Sequence, residues 1–71
     1  MARTVKTYRI LVHDLGQSEP IVLAAELAGD RRAREFAHER LASSPDYAAV
    51  EVWDGAVRLC RVGADEMRRA A

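Results

Sequence analysis

The sequence is poor in the residues that staple or punctuate a fold: one cysteine, two prolines, four glycines, and one Trp, two Tyr and one Phe. A lone cysteine, Cys60, closes no intrachain disulfide, and the zinc-knuckle spacings are missing. Charge of one sign is missing too. Eleven Lys plus Arg meet eleven Asp plus Glu, a net charge of +0. That balance removes the global electrostatic case for nucleic acid or an anionic membrane. No apolar run approaches the roughly 18 residues of a membrane span. The first apolar stretch is interrupted by Arg9 and again by His13-Asp14, so no secretory h-region is expected either. With its single thiol unpaired, the chain is expected in the cytoplasm. Gly- or Ser-rich tracts, charge blocks and internal repeats are also missing.

What is present is 49% hydrophobic residues in a chain of 71, enough for one small globular domain over 1–71. A domain of this size hides only about 60% of its extended surface, so its core is thin. From Gly63 to Ala71 large apolar groups are scarce, and a flexible or short helical tail is expected there.

Strand periodicity opens the chain. Tyr8, Ile10 and Val12 share one face of a strand over Val5–His13, and Thr7, Arg9, Leu11 and His13 the other. The segment Asp14-Leu15-Gly16-Gln17-Ser18-Glu19-Pro20 reads as a reversing loop, with Gly16 free to take a positive φ. Ile21, Leu23, Ala25 and Leu27 then alternate as a second strand. A helix starting at Ile21 is the alternative, since Leu23-Ala24-Ala25-Glu26-Leu27 has good helical propensity. Gly29-Asp30 looks like a fresh helix start, with Asp30 as N-cap. The stripe Ala33, Phe36, Ala37 and Leu41 should dock, while Arg34, Glu35, His38 and Glu39 lie outside it. Pro45 stops the helix near Ser43.

Ala49–Trp53 and Ala56–Val62 alternate on either side of Asp54-Gly55, a pair suited to a two-residue type I′ turn. Counting outward places Trp53 opposite Ala56, Val52 opposite Val57, Glu51 opposite Arg58, Val50 opposite Leu59 and Ala49 opposite Cys60. The expected fold is therefore α+β: a four-stranded antiparallel sheet, ββαββ, with one helix packed on one face. The covered face would hold Tyr8, Ile10, Val12, Ile21, Leu23, Leu27, Val50, Val52, Val57 and Leu59.

A single helix leaves the other face bare, and by the same alternation it carries Leu11, Val22, Ala49, Trp53, Cys60 and Val62 among Arg9, Glu51 and Arg58. That apolar ground, with two unpaired strand edges, makes Trp53, Leu11, Val22, Cys60 and Val62 the candidate protein interface, and a homodimer is the expected assembly.

Glu51-Val52-Trp53-Asp54 in the second hairpin resembles the Glu-(Ile/Val)-Trp-(Asp/Asn) signature of a group of small proteobacterial proteins of unknown function. The likeness spans Tyr8 to about Val62. It implies a compact ββαββ unit and attaches no activity to it.

Chemical constellations are weak. Glu35-x-x-His38 has the i, i+3 spacing of a metal pair, but one helix supplies too few ligands. His13-Asp14 lacks a nucleophile, and Cys60 has no local motif that would activate it. Neither a cofactor nor catalysis is expected. Arg31, Arg32 and Arg34 at the helix start oppose its dipole unless compensated, and could hold an anion. With Arg9 and Arg58 on the open sheet and Trp53 as a stacking platform, single-stranded RNA is conceivable. The expected function is thus a non-enzymatic protein acting through protein–protein contacts and self-association at the open sheet face. An anion- or nucleic-acid-binding module built on the three arginines is the alternative.

Overall fold

The computed structural model describes residues 4–65. Its elements are β1 Lys6–Asp14, β2 Ile21–Leu27, α1 Asp30–Ala42, β3 Tyr47–Asp54 and β4 Val57–Gly63. The strands form one antiparallel four-stranded sheet in the order β2-β1-β3-β4, with α1 packed on it. This is the ββαββ α+β fold. The stretch from Ile21 extends instead of coiling, because Leu23 and Leu27 stand across from Ile10 and Lys6 of β1.

The core lies between the sheet and α1. Tyr8, Ile10, Val12, Val50 and Val52 are its largest fully buried side chains, and the helix contributes buried Ala33, Ala37 and Leu41. Alanine at two successive i, i+4 positions keeps the contact stripe of the helix low over the strands. The helix lies chiefly over β3 and β4 and much less over β1 and β2. Its end is the one Pro45 dictates: the helix closes at Ala42, and the Ser43 N–H and hydroxyl both donate to the Arg40 carbonyl, at 3.1 and 2.6 Å.

Its beginning departs from the capping pattern read in the sequence. Gly29 occupies the N-cap position at φ 103°, ψ 176°, and Asp30 is already helical. This backbone conformation is open almost only to glycine. Asp30 is used elsewhere: its Oδ1 accepts the Tyr8 hydroxyl at 2.8 Å, tying the helix start to the middle of β1. Gly16, by contrast, needs no positive φ, which among the described residues occurs only at Gly29 and Gly55. The first loop is held instead by the Asp14 carboxylate, which accepts the Gly16 N–H at 2.8 Å.

The second hairpin is offset from the pairing counted in the sequence. Asp54 pairs with Val57, so the turn is Gly55-Ala56. Only the first of these has a positive φ, 60°, as a II′ turn requires and a I′ turn does not. Trp53 then faces Arg58 but Val52 faces Cys60, so Leu59 is an inserted bulge residue. The insertion turns Cys60 and Val62 toward the helix, across from Val52 and Val50. Val57, expected inside, is 67% exposed. The strand continues through Gly63, Ala64 and Asp65 are helical, and the rest of the tail expected over 63–71 lies outside the described residues.

Candidate functional site: the open sheet face

The face away from α1 follows from the registers. Arg9 stands across from Ala24 and Trp53, Leu11 from Val22 and Glu51, and His13 from Ala49. Arg58 and Arg61 extend the face onto β4, across from Trp53 and Glu51. Three of the five candidate interface residues, Trp53, Leu11 and Val22, therefore share this face. Cys60 and Val62 do not. The bulge at Leu59 directs them to the helix side, where Val62 is buried and Cys60 packs partly against the core. Burial also pushes the Cys60 thiol upward, against weaker opposing pulls from Arg34 and the Val52 backbone.

Glu51 organises the centre of the face. Its Oε2 lies 2.5 Å from His13 Nε2, its Oε1 accepts the Trp53 indole N–H at 3.1 Å, and an Arg58 guanidinium nitrogen lies 3.6 Å from Oε1. Only 12% of its side-chain surface is exposed. Burial alone would push the Glu51 pKa up, but hydrogen bonds from His13 and Trp53 and the nearby positive charge hold it below the usual carboxylate range. An ionised Glu51 can only accept, so His13 Nε2 carries the proton in this pair. The Glu51–Arg58 pair expected from the sequence does form. It does so diagonally, because Arg61 is the residue directly opposite Glu51.

Over the indole sits a cation. Arg9 Cζ is 5.6 Å from the Trp53 ring centre, within reach of a cation–π contact. Trp53 is thus clamped in plane by Glu51 and covered by Arg9. It is a fixed, half-buried platform. Beside it, Thr7, Arg9, Val22 and Ala24 help line an open groove of about 400 Å³ that reaches Gly55. Strand alternation put Arg9 and Glu51 on this face, but their contacts with Trp53 and His13 could not be read from it. The i, i+2 spacing of Glu51 and Trp53 on one strand face was available as a signal, but pairing of β1 with β3 was not.

The remaining candidates are dispersed. Arg32 is engaged by two carboxylates, bonding Glu39 at 3.0 and 3.3 Å and lying 3.6 Å from Glu35. Arg31 and Arg34 are exposed beside it. Acidic partners therefore offset the cationic start of α1 within the same helix. Glu35 and His38 are exposed on that helix, and among the described residues no three His, Cys, Asp or Glu gather to hold a metal ion. His13 turns to Glu51 and not to Asp14, from which a register shift separates it. No described helix is long and apolar enough to cross a membrane. No family model, curated protein or solved structure matches the chain.

Proposed function

We propose that this chain is a non-catalytic contact module that self-associates and offers its open sheet face to a protein surface that is acidic and partly apolar. The observation that carries this reading is the clamped Trp53, held by Glu51 and covered by Arg9. A rigid indole loses little conformational freedom on binding, which is what makes such residues strong anchors. Around it stand Leu11 and Val22, the latter 61% exposed, as apolar ground. Arg9, Arg58 and Arg61 are exposed on the same face, whereas the charge of Glu51 is already shared among His13, Trp53 and Arg58. With Arg58 paired to Glu51, the guanidiniums of Arg9 and Arg61 still outnumber the exposed carboxylate of Glu26 on this face. That excess favours an acidic partner and disfavours two copies stacking face to face.

Catalysis has less support. The His13–Glu51 pair resembles a base with its orienting carboxylate, but Cys60 projects from the other side of the sheet and no serine lies on these strands. Arg31, Arg32 and Arg34 are a weaker anion site than the open face, because Glu35 and Glu39 already occupy Arg32.

Trp53 is the only tryptophan, so its fluorescence reports on this face alone. Titration with a peptide of alternating Glu and Leu should change that emission saturably. Arg9→Ala should weaken the response at least several-fold, and Arg31→Ala with Arg32→Ala should leave it intact. An unchanged emission at millimolar peptide would sink the proposal. A response to oligothymidylate that the double arginine variant abolishes would favour the nucleic-acid module instead.

A further inference from the structure

The two edges of the sheet are built differently. Along β4 the pairing is broken by the bulge at Leu59, and Arg58 and Arg61 stand exposed on the strand. Bulges and charges of this kind are what keep a free edge from pairing with another chain. Along β2 neither device is present. Its register with β1 is regular from Ile21 to Val12 through Leu27 to Lys6, and Glu26 is its only charged residue. The off-centre helix adds to this. Because α1 lies over β3 and β4, Ile21 on the helix side of β2 is 40% exposed, and Val22 on the other side is 61% exposed. Among the described residues, apolar side chains are thus bare on both faces of an edge that nothing protects.

We infer that β2 is the seat of self-association, pairing antiparallel with β2 of a second copy about a two-fold axis at Ala24 and making one eight-stranded sheet. The inference rests on the self-association proposed above and assigns it a place. An antiparallel pair related by a two-fold axis keeps helix-side residues opposite helix-side residues. Centring on Ala24 pairs all seven positions of the strand: Ile21 with Leu27 of the second copy, Leu23 with its Ala25, and Val22 with its Glu26. On the helix side Leu23 then opposes the smaller Ala25, and Ile21 meets Leu27 as an apolar pair at either end. The strand's only charge, Glu26, never meets its own copy, and the closest like pair is alanine on alanine. Both helices lie on one side of the extended sheet. On the other, the two Trp53-bearing faces and the two grooves at Ala24 become continuous across the axis.

Light scattering on the full chain should give twice the 7.9 kDa chain mass at micromolar concentration. Ala24 is exposed, so Ala24→Lys leaves the monomer fold while setting two ammonium groups face to face on the axis. The variant should scatter as a monomer with an unchanged circular dichroism spectrum. In a second variant, Ala24→Cys, the paired Cα atoms would lie about 4.5–5.5 Å apart, within disulfide range. Mild oxidation should cross-link it, whereas Ala56→Cys, at the far hairpin turn, should stay monomeric on a denaturing gel. A native chain that is monomeric throughout overturns the self-association and the edge together. A native dimer that tolerates Ala24→Lys, or that fails to cross-link through Ala24→Cys, overturns the edge alone and leaves self-association standing. Should Ala24→Lys not fold, the cross-linking arm decides.

Discussion

Glu51 bonds the indole N–H of Trp53, its neighbour but one on β3, and the imidazole of His13 on β1 with its other oxygen. One carboxylate thus braces an aromatic anchor and joins two central strands on a face the helix never touches. A mostly covered carboxylate without partners would be costly, and His13, Trp53 and Arg58 supply them.

Stability should follow the ionisation of Glu51. A carboxyl held below its unfolded value stabilises the fold above that value, roughly pH 4.3, and the contribution is lost as pH falls through the folded one. Urea unfolding at a series of pH values should show this loss below about pH 4. Glu51→Gln should flatten that part of the curve and cost about 1–3 kcal/mol at neutral pH. An unaltered pH profile in the variant would assign the acid sensitivity to other groups.

Tyr8 and Asp30 couple β1 to the helix start through their 2.8 Å hydrogen bond. Burial, then Asp30, raises the phenol of Tyr8. A raised group stabilises below its unfolded value, roughly pH 10, and that contribution disappears as pH rises through the folded one. Tyr8→Phe should lower the urea midpoint with little change in slope. Asp30→Ala should lower it less in the Tyr8→Phe background than in the native chain, which a double-mutant cycle measures.

Gly29 has empty space where a Cβ would go, so its substitution tests the backbone alone. Gly29→Ala should cost about 1–3 kcal/mol through its φ of 103°. A loss below a few tenths, read from denaturant midpoints, would mean that the helix start relaxes at no cost.

Cys60 should be slow to react. Its thiol is raised by burial and faces the helix, opposite Val52. Iodoacetamide at pH 7.5 should alkylate the folded chain many-fold more slowly than the chain in urea, because the thiolate is the reactive form. Equal rates would place Cys60 on an open surface.

The elements themselves were legible in the residues. Tyr8, Ile10 and Val12 alternate strictly, Ala33, Ala37 and Leu41 recur at four, and Pro45 marks the end of α1; the structure has each of these where the pattern puts it. The second hairpin was legible only to its tip. Asp54-Gly55 suggests one turn, but Gly55-Ala56 forms another, and one inserted residue at Leu59 then reverses the faces of Cys60 and Val62. A bulge has no propensity signature strong enough to be counted from a turn outward. For that reason two of five interface candidates moved into the protein, whereas Val57 moved out because the shifted turn sets it opposite Asp54 at the tip of the hairpin.

Local chemistry, carried by side-chain period, glycine and proline, decided that there are four strands and a helix and which residues of β1 lie beneath it. Tertiary structure alone decided that β1 lies beside β3, that α1 sits off centre, and that Glu51 meets His13. Those outcomes depend on which strands pair across long stretches of chain, and pairing is settled by the packing of all the elements at once, not by the residues within any one of them.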